Sequence, residues 1–119
     1  MNEFNTERVA KVNYTYGVTN DGSTGDDIKL GATVPQGAVV TRIISKENTA
    51  FTSDGSATID IKVGSSELAS GVAYDTGFAG VDEQLDSSSA DEASGNIMID
   101  INVAALTDGD VDFYVYYIL

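Results

Sequence analysis

Val111-Asp112-Phe113-Tyr114-Val115-Tyr116-Tyr117-Ile118-Leu119 is the stretch whose reading decides the fold. Successive side chains of an extended strand point to opposite faces. Val111, Phe113, Val115, Tyr117 and Leu119 therefore share one face, and Asp112, Tyr114, Tyr116 and Ile118 the other. The first face is wholly apolar or aromatic, and the second becomes bulky after a single carboxylate. A strand apolar on one face is half-buried, and one apolar on both is covered twice. The second cover is either another layer of this chain or another subunit. The strand is expected to run to Leu119, so truncation there should impair folding.

The same alternation recurs upstream. In Ala10–Val18, Val12, Tyr14, Tyr16 and Val18 face inward while Lys11, Asn13 and Thr15 face out. Ile28-Lys29-Leu30 reads as a short strand after the turn cluster Thr19–Asp27. Val34-Pro35-Gln36-Gly37 breaks the chain at its one proline. Ala38–Ser45 is a β-branched run too short for a helix, and Phe51 is expected to drop into the core from the connection that follows. Ser56–Gly64 alternates most cleanly, with Ala57, Ile59, Ile61 and Val63 inside. Ser65–Ser70 fits one helical turn, with a serine cap ahead of Glu67 and Leu68. Val72–Gly95 has no period and reads as one long acidic loop. Asn96–Val103 is again a strand, with Ile97, Ile99, Ile101 and Val103 inward.

Strands separated by turn signals, without a long helix, specify an all-β protein. The expected architecture is an antiparallel two-layer β-sandwich with Greek-key or jelly-roll-like connectivity. At 119 residues the chain is one domain spanning 9–119, preceded by a polar arm at 1–8. It contains no cysteine, so its core needs no disulfide.

Charge narrows the function classes. Residues 1–62 hold 8 acids and all 6 bases, whereas residues 63–119 hold 11 acids and no base, giving −2 and −11 of the total −13. That field repels phosphate backbones and anionic lipid heads, so neither nucleic acid nor membrane is an expected partner. No apolar run approaches the ~20 residues of a membrane helix. The absence of His and Cys excludes Ser-His-Asp and Cys-His catalysis and the usual zinc and haem ligand sets. Asp26/Asp27, Asp82/Glu83 and Asp91/Glu92 are adjacent carboxylates in loops, which are solvated charge rather than the split pair that glycoside hydrolysis needs. The reading is a non-enzyme with no cofactor and no assigned metal site. Asp21, Asp26 and Asp27, in a flexible oxygen-rich loop, are the calcium candidates, although the EF-hand pattern is missing. Tyr14, Tyr16, Tyr114, Tyr116 and Ile118 are the candidate interface residues, because tyrosine is enriched where proteins meet.

Three stretches carry a resemblance: Gly31–Thr41; Ala50–Thr58 leading into Ile59–Gly64; and Ala104–Asp110 ahead of Phe113–Tyr117. Together they resemble small virion proteins of tailed bacteriophages, over nearly the whole chain from about Val9. The resemblance implies a capsid decoration, or cement, protein on the outside of the virion, assembled in the host cytoplasm. Its expected partners are the major capsid protein or other virion proteins, and the expected assembly is a homotrimer or dimer. The alternatives are a tail or neck component and a calcium-dependent carbohydrate- or cell-surface-binding module, such as a fibre tip or adhesin. The last would be favoured by acidic loops at 20–27 and 82–92 converging at one end of the sandwich.

Overall fold

A computed structural model of the chain describes residues 7–75, 81–84, 91–92 and 94–119, with only the backbone at 81–84 and 91–92. The described residues form nine strands: β1 (Arg8–Thr15), β2 (Gly25–Val34), β3 (Val39–Ser53), β4 (Thr58–Val63), β5 (Ser66–Ala73), β6 (Val81–Gln84), β7 (Asp91–Glu92), β8 (Gly95–Asn102) and β9 (Leu106–Ile118). They make two antiparallel sheets, one ordered β1-β9-β3-β6 with β7 also on β3, the other β2-β8-β4-β5. Pairing runs inward from the chain ends: β1 with β9, β2 with β8, β3 with β6 and β7, β4 with β5. One long antiparallel hairpin is thus rolled up so that successive pairs alternate between sheets. The two packed antiparallel sheets are the expected all-β sandwich.

The core lies between the sheets and is built by the alternation. Ile59, Ile61 and Val63 of β4, Ile97, Ile99 and Ile101 of β8, and Val111, Phe113 and Val115 of β9 are completely buried. Each such side chain contributes about 1.5–3 kcal/mol by leaving water. Phe51 is buried as expected, but from within β3, which runs on to Ser53. Its ring lies where a β-carbon at Gly109 would stand, and Gly109 holds φ 147°, so glycine is required there on two counts.

Several expectations are corrected. Ser65–Ser70 forms no helical turn: Ser66–Ala73 is an edge strand paired with β4, because tertiary pairing outweighs one weak capping signal. The first strand stops at Thr15, and Val18 is 82% exposed beyond it. The 18–19 backbone amides bond back to Thr15 O and close a turn instead. Val103, expected inward, lies just beyond the end of β8, 76% exposed, at φ 74°. Within 72–95, two short strands pair with β3, while residues 76–80, 85–90 and 93 of the expected acidic loop lie outside the described residues. The same holds for residues 1–6 of the expected arm.

Candidate interaction face

Register sets the outer face of the five-stranded sheet in rows. Val9, Tyr116 and Arg42 lie side by side on β1, β9 and β3; Lys11, Tyr114 and Ile44 form the next row; Asn13, Asp112 and Lys46 the next. A register shift at Thr41 makes this possible, turning Arg42 outward and Ile43 into the core. The rows are held by charge and aromatic contact. The Arg42 guanidinium sits 4.2 Å from the Tyr116 ring centroid and 3.6 Å from Glu7. The Lys11 ammonium lies 5.7 Å from the Tyr114 centroid and 3.9 Å from Asp112.

Asp112 is the hub of the polar end of this face. It is 8% exposed and accepts hydrogen bonds from Asn13 Nδ2 at 2.8 Å and Asn48 Nδ2 at 3.1 Å. Asn13 also donates to Asp110 at 2.7 Å. Burial pushes the Asp112 carboxyl up, but the two amide donors, with Lys11 and Lys46 nearby, outweigh it and hold the group below its ordinary value.

The sequence-predicted residues divide in three. Tyr114, Tyr116 and Ile118 are half-exposed on this outer face. Tyr14 is not on it: fully buried, it faces the core, with its ring 5.8 Å from that of Phe51 and its hydroxyl donating to Asn20 Oδ1. That burial, then the Asp21 charge, pushes its phenol up to about 12. Tyr16 lies at the turn after β1, 38% exposed, its ring edge against Gly22. Arg42, Ile44, Lys11 and Val9 were missed. Lys11 was legible once β1 and β9 are paired, since it alternates outward, but the shift at Thr41 has no sequence signature.

The calcium candidates do not converge. Asp21 accepts the Ser23 amide at 3.0 Å, closing its own turn, and Asp26 is exposed. Asp27 bonds the Lys62 ammonium, and its amide donates to Asp100 at 2.8 Å. The oxygens of Asp60, Glu67 and Asp100 on the outer face of the four-stranded sheet lie within 4.8 Å of one another. Two of these carboxylates already have protein donors: Asp60 takes Gly71 N–H at 2.8 Å and Asn102 Nδ2 at 2.9 Å, and Asp100 takes Lys62 at 2.9 Å. Of the proposed acidic-loop pair, residues 85–90 fall outside the described residues.

No protein-family model and no curated protein sequence matches the chain. Its fold is similar to that of a chain in the acidic stable capsid structure of Helicobacter pylori bacteriophage KHP30. The TM-score is 0.59 at 13% identity, over 96% of this chain and 88% of that one. At that identity the likeness is one of fold.

Proposed function

We propose that this chain is a non-enzymatic structural protein of a bacteriophage virion, and within the virion a decoration protein on the capsid exterior. The observation that carries the reading is the fold likeness, across almost the full length of both chains, to a component of a phage capsid structure. The chemistry agrees with it: the chain has no His or Cys, and of the carboxylates described above Asp21 closes a turn, Asp112 accepts from two asparagine amides, and Asp27 and Asp100 share Lys62. A decoration protein works by burying surface across joints between shell subunits. A joint of the ordinary size, about 800 Å² per partner, adds enough to hold a shell against internal pressure when repeated over a lattice. The major capsid protein is the proposed partner, and the acidic exterior keeps particles mutually repelling.

The test is to purify virions that encode this chain, quantify it by mass spectrometry and locate it by cryo-electron microscopy. The reading expects many copies per head on the outer shell, and heads stripped of the chain that rupture at lower temperature. Absence from the particle, or confinement to the tail, would overturn it. A melting temperature that rises with Ca²⁺ and falls with chelator would instead support the recognition module.

A further inference from the structure

We propose that the outer face of the five-stranded sheet docks a second copy of this chain, face to face about a two-fold axis. The inference deepens the virion reading by naming the occupant of the tyrosine face. It concerns the chain alone in solution, so its failure and that of the virion role are read separately.

Two independent observations carry it. The first is the surface itself. Val9, Ile44, Tyr114, Tyr116 and Ile118 leave partly exposed apolar area on three adjacent strands, joined in register rather than scattered. A contiguous patch of this kind on a soluble protein marks a meeting surface. Tyr114 and Tyr116 are held in place beneath Lys11 and Arg42, so little side-chain freedom is lost on docking.

The second is charge. The chain carries −13. Across the β1, β9 and β3 part of this face, however, the bases Lys11, Arg42 and Lys46 are matched by Asp110, Asp112 and Glu7 just ahead of β1, three against three among the described side chains. On the outer face of the opposite sheet, Asp27, Asp60, Glu67 and Asp100 outnumber Lys29 and Lys62, four against two. Two copies of a strongly acidic chain repel through most approaches, and the balanced face is where they meet without like charges in contact. An acidic partner of another kind would need cations in excess, and here each of Lys11 and Arg42 already has a carboxylate. A two-fold arrangement is self-complementary, because each copy offers the same balanced set.

Size sets the strength. Three strands about 4.8 Å apart and some five residues of about 3.3 Å each give a footprint on the order of 300 Å² per copy. A standard stable interface has about 800 Å² per partner. The dimer is therefore weak and concentration-dependent when free. Its salt response is distinctive. The contact is neutral but the remainder of each copy is acidic, so screening removes repulsion and tightens the dimer; the Debye length falls from about 10 Å at 0.1 M to about 3 Å at 1 M salt.

Sedimentation equilibrium of the full chain from 5 to 500 µM (roughly two decades around the Kd of a weak contact), in low salt and in about 1 M NaCl, reads this directly. The expected result is exchange between 12.5 kDa and twice that mass, with a dimer constant about tenfold tighter in high salt. The variant Ile44→Glu/Tyr116→Glu is expected to remain monomeric. Should that variant fail to fold, the cysteine-free chain allows a second measurement with exposed single substitutions. Lys11→Cys is expected to cross-link to dimer with a short bismaleimide, and Lys29→Cys, on the other sheet, is not. A monomer under all conditions, association that weakens with salt, or cross-linking equal at both positions would overturn the proposal.

Discussion

Lys62 Nζ lies 2.9 Å from Asp100 Oδ1 on the outer face of the four-stranded sheet, with side chains only 15% and 8% exposed. The same ammonium bonds Asp27, so one cation ties β2, β4 and β8 together. Its hydrogen bond to Asp27 comes first, then partial burial working against it, then Asp100; the net effect holds Lys62 above its ordinary value. Removing the cation strands Asp100 beside Asp60, directly opposite in the ladder. Lys62→Met is expected to lose about 2–4 kcal/mol, and Lys62→Met/Asp100→Leu to recover much of it, measured by urea unfolding. For a raised lysine the stabilisation is full below the unfolded value near 10.5 and disappears as pH rises above it. Wild type should therefore lose more stability than Lys62→Met on going to strongly alkaline pH.

Asp112 gives the opposite limb. Its folded value is depressed, so its contribution is present above the ordinary carboxylate value of 3.8 and is lost as pH falls below that. Asp112→Asn keeps the shape but removes the acceptor charge and turns an amide toward Asn13 and Asn48. The expected cost is about 1–3 kcal/mol at pH 7, a fall in Tm of roughly 5–15 °C for a domain this size. The variant's deficit should shrink below pH 3.8, as read by melting curves across pH.

How much of this was legible depends on which question the pattern answers. Alternation states which face a side chain takes, and it placed Ile59, Ile61, Val63, Phe113 and Val115 correctly in the core. It also put Tyr114, Tyr116 and Ile118 together, because they share one strand. It does not state which strands are neighbours, so the Tyr116–Arg42 and Tyr114–Lys11 contacts, between residues 74 and 103 apart in sequence, had no local signal. Tyr14 was grouped with the interface by residue type, although its alternation with Val12 already pointed it inward. The Ser-rich start of β5 carries a helix cap and a strand equally well, and only pairing with β4 decides.

Tyr14 supplies a spectroscopic test. Burial, with Asp21 next in importance, raises its phenol to about 12 from 10.0. The neutral form is therefore the folded one, and stability falls as pH rises from 10.0 toward about 12. Tyr14→Phe loses the hydroxyl bond to Asn20. It should cost about 1 kcal/mol at pH 7 and show a shallower fall between pH 10 and 12. Equal slopes in both proteins, followed by denaturant unfolding, would reject the assignment.

Among the described residues two non-glycines stand at positive φ, Asp27 and Val103, and of these Val103 is the β-branched one. It stands at φ 74°, where a β-branched residue crowds its own carbonyl, and it is 76% exposed, so little packing compensates. Two bonds hold the turn from β8 into β9: Ala104 N–H donates to Asn102 O at 2.9 Å across Val103 itself, and Leu106 N–H donates to Gly22 O at 2.8 Å, pinning the chain from outside. Asparagine adopts this conformation more readily than valine, and glycine does so without strain. Val103→Asn is expected to raise stability by about 1 kcal/mol, as is Val103→Gly less its entropy cost in the unfolded chain. Differential scanning calorimetry should find Tm raised by about 4–8 °C for Val103→Asn. A lowered Tm would mean that contacts within the chain compensate the valine conformation, and would reject the assignment of strain to this turn.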